Sequence, residues 1–95
     1  MTTTQTIQAQ IGNKAFFMMG AKNLLASEDS LQWKVGRNGM GVTHVTVKLA
    51  ADDTYTLTFH AVRGTNIKVL AKLEGVYVDS LHTVIQARTG LYLSL

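Results

Sequence analysis

Two stretches decide the fold: Thr43-His44-Val45-Thr46-Val47-Lys48-Leu49 and, after a break at 50–53, Tyr55-Thr56-Leu57-Thr58-Phe59-His60-Ala61. In both, the odd positions are apolar or β-branched and the even ones are His, Thr or Lys. A period of two sustained this long marks a strand with one face in a core and the other in water. So short a break makes the two strands antiparallel neighbours. Working outward, Leu31, Trp33 and Val35 alternate with Gln32 and Lys34, and Ile67, Val69, Ala71 and Leu73 alternate with Lys68, Leu70 and Lys72. The connections at 36–41 and 63–66 are also short, so the expectation is a four-stranded antiparallel meander.

The flanks read as helices. Over residues 4–19, Ile7, Ile11, Ala15 and Met19 recur at helical spacing behind a threonine cluster suited to an N-cap, and Gly20 suits a C-cap. The second half, Ala15-Phe16-Phe17-Met18-Met19, is apolar all round and is expected in the core or in an interface. A second helix is expected over 79–89, capped by Asp79 or Ser80, with Leu81, Val84, Ile85 and Arg88 near one face and Gly90 as its stop. Both helices need an apolar surface, and the odd strand positions offer one. The expected fold class is therefore α+β, a single domain over 1–95 with both helices packed on one face of the sheet. The tail, Leu91-Tyr92-Leu93-Ser94-Leu95, alternates again and is expected as a docked C-terminal edge strand, with docking on a second subunit as its rival.

The opposite face is then open. The pattern assigns to it Lys34, His44, Thr46, Lys48, Thr56, Thr58, His60, Lys68 and Lys72, with Glu74 as its one acid. Across the 50–53 turn, same-face partners have an even index sum, which sets His44 opposite Thr58 or His60. Lys34, His44, Lys48, His60, Lys68 and Lys72, with Arg37 at the tip of the 36–41 loop, are the candidate binding residues for an acidic protein or for nucleic-acid phosphates. The competing reading is a solvated face kept soluble by Lys and Thr, as antiparallel sheets commonly leave one side to water. Trp33, Tyr55 and Phe59 fall on the packed side, which argues against reading RNA bases by stacking.

Other chemistry finds no footing. His44 and His60 lack a third ligand, so no metal and no cofactor is expected. Gly36-Arg37-Asn38-Gly39-Met40-Gly41 joins two strands and meets neither phosphate-loop spacing, so it reads as a hairpin loop. Asp79-Ser80-Leu81-His82 opens a helix, where Asp and Ser cap naturally. The pairs Asp52-Asp53 and Glu28-Asp29 are turn residues, leaving no catalytic residue to name.

Apolar residues make up 46% and charged ones 16%, a balance that closes a core and excludes disorder along the whole chain. A core this small is thin, so self-association into a homo-oligomer would be a natural supplement. With no cysteine there is neither a disulfide framework nor a thiol nucleophile. No apolar run spans a bilayer and Met1 to Gln10 lacks a basic leader, so a cytoplasmic protein without a membrane partner is expected. The net charge of +3 favours anionic partners only mildly.

Three segments, 13–23, 35–38 (Val35-Gly36-Arg37-Asn38) and 89–93 (Thr89-Gly90-Leu91-Tyr92-Leu93), together resemble a family of small uncharacterised bacteriophage and prophage proteins, a likeness that covers nearly the whole chain. The resemblance implies a context and transfers no site residues: such proteins are often accessory factors that bind host proteins, inhibitors of host defence among them, or nucleic acid. The expected function is a non-enzymatic phage accessory protein that binds a host macromolecule, in the first place a host protein. The alternative is a nucleic-acid-backbone binder using the basic face. Steep weakening of binding with salt would mark the second.

Overall fold

The computed structural model describes residues 3–36, 41–50 and 52–90. The order is α1 (Thr3–Ile11), α2 (Asn13–Met19), β1 (Lys22–Ala26), β2 (Ser30–Lys34), β3 (His44–Leu49), β4 (Tyr55–Arg63), β5 (Asn66–Val76), a 3₁₀ turn (Val78–Ser80) and α3 (Leu81–Thr89). The strands form one antiparallel meander in the order β1-β2-β3-β4-β5. Expected as four-stranded, the sheet has a fifth strand, β1. Its sequence Lys-Asn-Leu-Leu-Ala shows no alternation, because all five residues are exposed and the strand is irregular around Asn23, whose φ is 54°.

The odd-numbered positions of the central strands build the core as the alternation implies: Leu31, Trp33, Val45, Val47, Tyr55, Leu57 and Phe59 are buried. They join Ile7 and Ile11 of α1, Ala15, Phe16 and Met19 of α2, and Leu81 and Ile85 of α3 in one cluster. At its centre Phe16 meets Trp33 edge to face, ring centroids 5.0 Å apart. The single helix expected over 4–19 is two helices, broken at Gly12, whose φ of 89° and ψ of 146° are open to glycine at little cost. The break lets α1 and α2 each aim an apolar stripe inward, yet Phe17 is left 84% exposed.

The C-terminal helix starts two residues later than expected, after the 3₁₀ turn, and Arg88 is exposed rather than near its buried stripe. Gly20 and Gly90 stop their helices in the left-handed conformation, as expected. The His82 Nε2–H donates to the Ile11 carbonyl at 2.6 Å and so ties the start of α3 to the end of α1. The tail at 91–95 and its expected edge strand lie outside the described residues.

The largest departure is in β5. Thr58 pairs with Lys72 and Phe59 with Ala71, but His60 pairs with Val69, so one extra residue, Leu70, is accommodated in β5. A bulge of one residue exchanges the faces of everything beyond it. Val69 and Ile67, expected in the core, therefore share the open side with His60 and Val62. Lys68, expected on the open face, pairs with Ala61 and sits on the opposite side. A second irregularity lies between the Leu57–Leu73 and Tyr55–Val76 pairs, where Gly75 takes a φ of 68°.

Candidate functional site

Register stacks the open-face residues into rows across the sheet. One row runs Lys22, Lys34, His44, His60 and Val69 over five strands, each residue paired directly with the next. Neighbouring strands lie about 4.8 Å apart, so its four basic or imidazole positions span about 14 Å. The next row is Leu25, Gln32, Thr46, Thr58 and Lys72, followed by Ser30, Lys48 and Thr56.

The lysines of this face are not electrically equivalent. Lys48 reaches Asp29 at 3.7 Å and Lys72 reaches Glu74 at 3.7 Å. Among the described residues, Lys22, Lys34 and Arg63 are in no such ion pair. Lys22 and Lys34 stand directly opposite each other, an arrangement of like charges that destabilises a sheet. An anion between them would relieve that repulsion.

These three cations share a cleft of about 640 Å³ at one end of the sheet, with Thr43, Gly20, Gly36 and Gly41 among its other lining residues and no acid among the described ones. Its glycine wall comes from a close backbone approach. The Gly36 N–H donates to the Met19 carbonyl at 2.8 Å, and a Cβ on Gly36 would sit 3.2 Å from that oxygen. The α2–β1 corner thereby rests on the end of β2 and places Lys22 beside Lys34.

Thr43 fastens the cleft to the row. Its N–H donates to the His60 carbonyl at 2.8 Å, its carbonyl accepts from Val35 N–H at 2.9 Å, and its Oγ1 accepts from Val62 N–H at 2.8 Å. The same hydroxyl lies 3.2 Å from the His60 carbonyl and 2.8 Å from His44 Nδ1. The hydroxyl has one hydrogen for these two contacts, so either the His60 carbonyl or the His44 ring receives it, and Thr43 joins the two in both cases. Thr43→Val is expected to lose roughly 1–3 kcal/mol, because the Val62 N–H and the His44 ring lose their partner. Urea denaturation measures this; an unchanged midpoint would rule the junction out as structural.

Burial pushes the His44 pKa below its ordinary value of 6.5, with Lys34 and then His60 adding repulsion in the same direction. The unfolded chain therefore binds more protons than the folded one at and below that value, so stability falls as pH drops through 6.5 toward the folded pKa and is intact above it. His44→Gln is expected to flatten this part of the pH profile of the urea midpoint. Equal slopes in the two proteins would show that His44 does not carry it.

Of the candidate residues, Lys34, His44 and His60 come together in the first row, while Lys48 and Lys72 lie farther along the same face in their own ion pairs. Lys68 is on the other side, and Arg37 lies outside the described residues. Sequence reasoning missed Lys22, in the unrecognised β1, and Arg63, assigned to a turn although it ends β4. The signal for β1 was the turn-like Ser27-Glu28-Asp29 ahead of β2, which closes a hairpin with what precedes it. Missed as well was the apolar end of the face, where Val62 pairs with Ile67 and Val69 extends the row.

Asp52 holds the turn before β4. Asp52 Oδ1 accepts from the Thr54 hydroxyl at 2.6 Å and from its N–H at 3.2 Å, bonds that hold the Asp52 carboxyl below its ordinary pKa. Among the described residues no three His, Asp or Glu side chains converge as a metal site, and no helix is long and apolar enough to cross a membrane. The chain matches no family model, no curated protein and no solved structure.

Proposed function

We propose that the chain is a non-enzymatic binding module which, in the phage setting implied by its sequence resemblance, docks an acidic host protein on the open face of its sheet. The observation that carries this reading is the row Lys22, Lys34, His44, His60 and Val69, in which unneutralised like charges stand opposite one another and run into exposed aliphatics. Repulsion kept within a folded sheet is understandable if an anionic partner offsets it. Val69, which ends that row, is 55% exposed, and Ile67 beside it is 69% exposed. An aliphatic group edged by cations is the make-up of a protein contact, with an apolar centre and a polar rim.

A nucleic-acid backbone would use the cations and leave the aliphatics idle. Stacking on bases would need exposed aromatics on the sheet, and its Trp33, Tyr55 and Phe59 are buried, while the exposed Phe17 and Tyr77 lie outside the strands.

The experiment is an NMR titration of isotope-labelled protein with two probes, an acidic peptide carrying leucines and a duplex DNA, each at low and physiological salt. The peptide is expected to shift Lys34, His44, His60, Val62 and Val69 together, and to do so still at physiological salt. Shifts confined to the lysines that vanish with salt, or tighter binding of the DNA, would overturn the reading in favour of a backbone binder.

A further inference from the structure

The edge of the sheet carries a separate set of observations. β5 is the longest strand, with 11 residues, and lies at one end of the strand order. Its outer side has no strand against it among the described residues. Along β5 and just beyond it, Ile67, Val69, Leu70, Tyr77 and Val78 are all at least 39% exposed. A long edge of this kind presents unpaired backbone N–H and C=O groups and is a template for another strand. The other edge, β1, has only five residues, which makes it the shorter template.

The charges on β5 say which strand fits. Between the two irregularities the register is regular over Ala71, Lys72 and Leu73, and Glu74, where the second irregularity begins, lies 3.7 Å from Lys72. Their side chains remain 58% and 74% exposed, free to meet a partner. In an antiparallel pairing with a copy of itself, centred on Leu73, this segment sets Lys72 opposite the second copy's Glu74 and Glu74 opposite the second copy's Lys72. Leu73 then meets Leu73 across the two-fold axis. We propose that the chain forms a two-fold dimer by β5–β5 pairing about Leu73, joining two five-stranded sheets into one. A symmetric contact needs a self-complementary strip, and the Lys72/Glu74 pair is one. Lysine on an edge ordinarily discourages pairing; here the neighbouring Glu74 offsets it in this register alone.

The test is sedimentation velocity over a concentration series on the wild type, Lys72→Glu, Glu74→Lys and an equimolar mixture of the two variants, with circular dichroism to verify folding. The wild type is expected to sediment as a dimer. Each variant sets like charges opposite each other twice, which should weaken the dimer by about tenfold or more. In the mixture every opposed pair is again of opposite sign, so the dimer should return as a heterodimer. Loss of the intrachain Lys72–Glu74 contact is common to both variants, so recovery on mixing is an effect that contact does not produce. A monomeric wild type at every concentration, as when the tail covers this edge, would overturn the proposal. So would a dimer indifferent to both substitutions, or variants whose mixture stays monomeric.

Discussion

Trp33→Ala is expected to cost roughly 3–5 kcal/mol, a large part of the roughly 5–15 kcal/mol that holds a domain folded. Trp33 is fully buried on β2, against Phe16 of α2 and among Ile7, Val45 and Phe59, so truncation opens a cavity where the helices meet the sheet. Walls supplied by several elements collapse poorly, which places the cost high in its range. Phe at the same position should be far milder. The Trp33 indole N–H has no hydrogen-bond partner among the described residues, and Phe removes that buried donor while keeping an aromatic edge against Phe16. A loss below about 2 kcal/mol is expected for Trp33→Phe, since the smaller void and the removed donor act in opposite directions. Urea denaturation of both variants checks the pair, and a wild-type midpoint for Trp33→Ala would reject this packing.

The double charge reversal Lys22→Glu with Lys34→Glu is expected to weaken an acidic protein partner by about 100-fold, equivalent to about 2.7 kcal/mol, while leaving the chain folded. Both side chains are exposed, and both belong to the row that faces the cleft. Glu opposite Glu repeats the repulsion that Lys opposite Lys already imposes, so the sheet itself should change little. Lys48→Glu is the matched control. Asp29 already neutralises that lysine, so its reversal should weaken the partner much less. The acidic peptide of the NMR titration serves as the probe in each case. Equal losses from Lys22/Lys34 and from Lys48 would show net charge to matter rather than the row.

The two results rest on parts of the molecule with different legibility. Strands β2, β3 and β4 were readable because each buries one face only, and a half-buried strand writes its pleat into the sequence as alternation. The even-sum rule across the 50–53 turn likewise sufficed to bring His44 opposite Thr58 or His60, and the structure pairs it with His60. Strand β1 was not readable from alternation, since it is exposed on both sides and nothing selects a pattern there, and only the turn at 27–29 pointed to it. The break at Gly12 was hidden because the apolar spacing from Ile7 through Met19 continues across it. In β5 the alternation of Ile67, Val69, Ala71 and Leu73 was legible and misleading. The extra residue at Leu70 turns its first half over, carrying Lys68 off the open face and Ile67 and Val69 onto it.

The fold class, the packed face of the central strands and the basic character of the other face follow from the order of residues, because burial on one side acts residue by residue along the chain. Tertiary structure alone decided how five strands align their cations into one row, which lysines find acids, and where the aliphatics of β5 point. Those outcomes depend on register, and register is settled by a single bulge and by how neighbouring strands pair around it.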